Sequence, residues 1–231
     1  MKTNTIRLKT NDIQINLDCE ANLVSFDDLV HSRAYLPEVE PVPLLRLVTE
    51  LDTEVPTRMD YDQTNNILEL VYQNTVVIIS VQQKLTHLTF ELKAIDGQEV
   101  DLIMWGPFPT TIDQIIGETI GVVRNDQFAI GIQALSPQTI GGQPQEYPPS
   151  SIVGTSVWES QIRSTETAVQ TDFGSVLQAY NRQQDGGILG SKIALFGCPV
   201  GQALERIGEI ELAEGLPHPM LDGEWTKTSL T

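Results

Sequence analysis

Cysteine, histidine and positive charge are all scarce in this sequence: two cysteines, three histidines and 14 lysines and arginines in 231 residues. Cys19 and Cys198 cannot supply a disulfide framework, a CxxC redox pair or a zinc ribbon. Isolated cysteines in apolar company are usually small core residues, and a single long-range bridge between these two stays open. His31, His87 and His218 fall in different predicted elements, without HxH or HExxH spacing, and read as surface or loop side chains. Against the few basic residues stand 31 acidic ones, for a formal net charge of −17. That balance excludes phosphate-backbone binding, which depends on Lys and Arg clusters, and disfavours docking on an anionic membrane. It favours solubility and neutral partners such as sugars.

Long hydrophobic runs are missing too, and no stretch approaches the ~20 residues that a membrane-spanning helix needs. The opening MKTNTIRLKTNDIQINL alternates polar and apolar residues from the start and has no apolar signal-peptide core. The expected location is therefore cytoplasmic, or periplasmic or secreted if a signal peptide has been removed. Phosphate-loop chemistry is absent as well. Gly186-Gly-Ile-Leu-Gly-Ser-Lys192 places Ser191 where GxxxxGK[ST] requires glycine, and it leads into a strand pattern. There is no GxSxG elbow, and neither cysteine has a histidine near it in sequence. No cofactor, metal set or catalytic residue is expected from these patterns.

What the sequence does contain is alternation. Ile13-Gln-Ile-Asn-Leu, Asn22-Leu-Val-Ser-Phe, Ile67–Gln73, Thr75–Val81 and His87–Ile95 all carry the period of half-buried strands. Asp96-Gly97-Gln98 predicts a hairpin into the next strand, and short turns between strands predict an antiparallel meander. The stretch 101–135 reads as a strand, an aromatic corner at Trp105-Gly-Pro-Phe-Pro109, and a hairpin turning at Asn125-Asp-Gln127. Residues 136–151 carry four prolines and a Gly141-Gly142 pair, a long loop, and Thr155–Ser160 is a candidate strand. Pro199–Ala213 has helical spacing at Val200, Ala203, Leu204, Ile207 and Ile210, with Gly215 just past its end. The fold class is all-β, an antiparallel sandwich with one C-terminal helix. Residues 1–198 form the sandwich, and 199–231 form a helix and linker leading towards a further domain.

Trp105 and Trp158 are the side chains suited to stack on a sugar ring, and Asp101 and Glu118 flank the aromatic corner as candidate polar contacts. Packing is the weightier reading of both tryptophans, and solvated strand ends that of both acids. Taken together, Ile13-Gln-Ile-Asn-Leu, Asn22-Leu-Val-Ser-Phe-Asp-Asp, Tyr35-Leu-Pro, WGPFPTTIDQIIGE, FAIGIQAL, GGILGSKIALFGCP and LPHPMLDGEW carry a resemblance. They resemble the N-terminal galactose-mutarotase-like supersandwich of bacterial multidomain glycoside hydrolases of the α-galactosidase and α-glucosidase type. That resemblance implies a carbohydrate-associated domain that is not itself catalytic. Its partner would be a C-terminal (β/α)8 barrel carrying the catalytic acids, outside this chain. Two other functions stay open: an independent aldose mutarotase or epimerase, which needs a histidine and a carboxylate converging in one groove, and an interaction scaffold without sugar affinity.

Overall fold

The computed structural model describes residues 5–40, 42–49, 52–117, 120–142, 144, 166–217, 220–221 and 224–225. The chain begins with β1 (Ile6–Lys9), β2 (Ile13–Leu17), β3 (Asn22–Asp28) and β4 (Arg33–Ala34), paired in that order, with β5 (Val42–Pro43) also on β3. A second sheet of eight strands follows the order β13 (Gln114–Gly117), β14 (Gly121–Arg124), β15 (Phe128–Ala134), β19 (Lys192–Pro199), β11 (His87–Gly97), β10 (Thr75–Gln83), β9 (Ile67–Val71), β8 (Arg58–Asp62). The third runs β16 (Ile140–Gly141), β18 (Gly174–Arg182), β12 (Leu102–Thr110), β6 (Leu45–Val48), β7 (Thr53–Glu54), with β17 (Ala168–Thr171) beside β18. A last small pair joins β20 (Met220–Leu221) to β21 (Glu224–Trp225). The fold is an antiparallel all-β sandwich, as the alternation predicts, and its one described α-helix is α1 (Ala203–Glu214).

The main core lies between the sheets, where all three contribute side chains, among them Ile15, Phe26, Leu47, Leu70, Phe90 and Trp105. In β2, and in β10 as far as Val81, every second residue is buried, so one face of each strand supplies the core and the other meets a more polar surface. Strands β12 and β18 differ, being buried nearly throughout. Ile103 and Trp105 of β12 join the main core, while Leu102 and Met104, pointing the other way, form a separate cluster with Val48 and Tyr180. Full burial of each such large apolar side chain is worth about 1.5–3 kcal/mol.

Two turn readings are corrected. Asp96-Gly97 does not close a hairpin, because β11 belongs to the eight-stranded sheet and β12 to the six-stranded one. Gly97 instead faces Thr75 with φ near 137°, and a Cβ there would lie 2.2 Å from the carbonyl oxygen of Asn74. The glycine is needed for a close approach to the β9–β10 turn. The aromatic corner is likewise the middle of β12, where the register against β18 shifts between Trp105 and Phe108. A bulge, not a chain reversal, accommodates the Gly-Pro pair. The Asn125-Asp-Gln127 hairpin forms as expected: the Asn125 side-chain oxygen accepts from the Gln127 and Phe128 amides, both at 2.8 Å. The candidate strand Thr155–Ser160 lies outside the described residues.

Helix α1 covers the outer face of the eight-stranded sheet. Ala203, Ile207 and Ile210 pack with Val122, Ala129, Phe196 and Cys198, which explains the helical period read from the sequence. A short 3-10 turn over Val200–Gln202 precedes it, so the helix starts later than Pro199. At the far end Gly215 is left-handed, φ 69°. Its N–H reaches the Leu212 carbonyl and that of Leu216 the Glu211 carbonyl, while Leu216 packs on the same apolar cluster. Under the helix, Gly131 faces Phe196 across β15 and β19, and a Cβ at Gly131 would sit 2.2 Å from that ring. Gly131→Ala is therefore expected to cost about 1–3 kcal/mol by overpacking, read as a lower urea midpoint with an unchanged slope.

Candidate functional site

The described titratable groups converge most closely where the last turn of α1 meets β11 and β19. Glu214, its side chain only 3% exposed, presents its carboxylate to three donors from the sheet side. Lys84 Nζ, in the β10–β11 turn, and His87 Nε2, at 3.0 Å, both reach Oε1, and Lys192 Nζ reaches Oε2 at 2.6 Å. A negative side chain at a helix C-terminus opposes the helix dipole, and α1 has no basic residue in its last turn. The two lysines supply that missing positive charge from the sheet.

These partners dictate protonation. Burial alone would raise the Glu214 carboxyl, but the bonds from Lys192, Lys84 and His87 outweigh it and hold the pKa at about 2. An ionised carboxylate only accepts, so the His87 proton sits on Nε2 and Nδ1 accepts from the Thr86 hydroxyl at 2.8 Å. Burial lowers the His87 pKa; Glu214 pulls it up, and Lys84 and Lys192 push it back down. His87 is thus a neutral, fully buried imidazole, contrary to its reading as a surface or loop histidine.

Thr86, His87 and Glu214 stand in the order of a nucleophile–base–orienter relay, but the arrangement serves it poorly. Taking the Thr86 proton would create an imidazolium between two ammonium groups balanced by a single carboxylate. The imidazole has no exposure to a substrate, and Glu214 already holds three donors. What the geometry does well is clamp. A second tie, from Arg206 Nη2 to Asp12 Oδ2 at 2.8 Å, joins the same helix to the β1–β2 turn. Beside it, burial pushes the Cys198 thiol up to about 11, with Arg206 countering only in part. Cys19, by contrast, is exposed, and both cysteines are free, so the long-range bridge left open by the sequence does not form.

Trp105 and Asp101 take other positions. Trp105 has no solvent exposure: its ring packs near Phe90, centroids 6.4 Å apart, and its indole N–H donates to Ser191 Oγ at 2.8 Å. The Ser191 hydroxyl in turn donates to Asn181 Oδ1, and Thr139 Oγ1 lies 3.3 Å away. With no ring face at the surface, Trp105 offers nothing for a sugar to stack on. Asp101 is half-buried just before β12, where its N–H donates to the Val48 carbonyl and its carbonyl accepts from Gln183. It stays apart from the Glu214 cluster. Trp158 and Glu118 lie outside the described residues. Among the described residues no group of three or more His, Cys, Asp or Glu side chains is placed to hold a metal ion.

Comparison with known proteins finds no matching family model and no matching curated protein.

Replacing Glu214 by Gln keeps the shape and removes the charge. The substitution is expected to lower the unfolding free energy by about 1.5–3 kcal/mol at pH 7, the worth of hydrogen bonds to a charged group. Because the folded carboxyl titrates below its ordinary 4.5, the stabilisation is present above 4.5 and is lost as pH falls towards about 2. Urea titrations of the two proteins should separate at neutral pH and converge near pH 2; parallel curves throughout that window would refute the clamp. His87 adds in the same direction, since the unfolded chain takes up a proton below about 6.5 that the buried ring resists.

Proposed function

We propose that this chain is a non-catalytic β-sandwich domain of the carbohydrate-associated kind, which acts by packing against a catalytic neighbour. The observation that carries the reading is the Glu214 cluster. The side chains best able to move a proton are sealed inside and spent on fastening α1 to the sheet. Carbohydrate association rests on the likeness of WGPFPTTIDQIIGE, FAIGIQAL and GGILGSKIALFGCP to the supersandwich domains of glycoside hydrolases. In that arrangement the catalytic acids belong to the barrel, and the sandwich supplies rigid support and sometimes a loop to the substrate pocket.

One observation favours a second reading, an aldose mutarotase or epimerase. His87 and Glu214 do converge, at 3.0 Å, as the acid–base pair of such an enzyme must. Their burial opposes it, because a sugar ring has to reach the imidazole.

Polarimetry separates the two. The purified chain should leave the anomeric interconversion of glucose and galactose at its spontaneous rate and should not cleave aryl glycosides. Acceleration that disappears in His87→Ala would establish the enzyme instead.

A further inference from the structure

A cleft of about 700 Å³ opens where two sheets end, lined by Thr5 and Arg7 on one side and by Met59, Asp60, Tyr61 and Gln63 on the other. Its walls are sheet edges. Among the described residues, strand β1 pairs only with β2, and β8 only with β9. In an antiparallel ladder the N–H and C=O of one residue point to the same side, and successive residues alternate. Lys9 turns its N–H away from β2, donating to Gln83 Oε1 at 2.9 Å, so Arg7, two residues earlier, also faces outward. Met59 turns its N–H away from β9, donating to the Cys19 carbonyl at 2.6 Å, so Tyr61, two residues later, faces outward as well. The outward peptide groups of Arg7 and Tyr61 therefore belong to the same cleft. The Gln83 side chain and the Cys19 carbonyl occupy the next edge positions and limit the open length to a few residues.

We propose that this cleft takes an extended segment of a separate polypeptide, which adds as a strand against the β8 edge with its other side towards Arg7. An outward donor and acceptor on each wall are the groups that an extended backbone satisfies. The volume lies within the range of ligand-binding clefts. Charge selects the segment: Arg58 pairs with Asp60 at 2.9 Å and Arg7 stands on the opposite wall, so the cleft's own charges nearly balance, and the net charge of −17 disfavours an acidic peptide against a neutral or basic one. This inference stands independently of the carbohydrate reading, since it uses only the two edges and their surroundings.

The test titrates the 15N-labelled chain with a hexapeptide of alternating lysine, valine and threonine, Lys-Val-Thr-Val-Lys-Val, and with the same peptide N-methylated at its valines. The unmodified peptide, at up to about 1 mM, should slow exchange at the Tyr61 and Arg7 amides roughly tenfold. The N-methylated form, blocked along the one edge that carries the valine N–H groups, should bind roughly fivefold more weakly or worse. Tyr61→Pro, which deletes the outward N–H, should weaken binding roughly fivefold, while Tyr61→Phe should not. The proposal is overturned by an absence of protection at these two amides, or by equal binding of the N-methylated peptide. Displacement of the peptide by malto- or galacto-oligosaccharides would overturn it in favour of a sugar. Protection that grows with protein concentration without peptide would overturn it in favour of a second copy of this chain.

Discussion

One carboxylate, Glu214, sits where the electrostatics of its own helix are least favourable and where two strands and the β10–β11 turn deliver three donors to it. Apolar contact alone would hold α1 loosely in angle, since Ala203, Ile207 and Ile210 present smooth, modest side chains to the sheet. The ion cluster fixes the end of the helix, and Arg206 with Asp12 fixes its first turn against a different sheet. Together they make the helix a bolt across two sheets. The cost is a buried ion, which only a complete set of partners makes tolerable.

Much of this architecture is legible in the sequence because the information is local. Alternation in Ile13–Leu17 and Thr75–Val81 reports one buried face, and the spacing of Ala203, Ile207 and Ile210 reports the face that meets the sheet. The Asn125 hairpin is equally local, since its side chain bonds the amides two and three residues on. Where the reading goes astray, the deciding neighbour is distant. Asp96-Gly97 has the composition of a hairpin, but the glycine answers to Asn74, and the next strand crosses to another sheet.

The site is less legible for the same reason. His87 looks like a solitary histidine because its carboxylate lies 127 residues away. Trp105 looks available for a ligand because the serine that takes its N–H is 86 residues on. One local anomaly does point to Glu214: a helix ending in an acid before its glycine cap, with no lysine or arginine in the last turn, needs positive charge from elsewhere. Two lysines flanking strands of the same sheet are where that charge is found.

Hydrogen exchange along the chain tests most directly whether this carboxylate fastens the helix. In Glu214→Gln, the amides of 203–214 should exchange roughly tenfold or more faster than in the parent protein, through an opening whose urea slope is smaller than that of the β9, β10 and β11 amides. Unchanged exchange in the helix would contradict the account. So would a urea slope for the helix amides equal to that of the β9, β10 and β11 amides, because the helix would then open only with the whole sandwich.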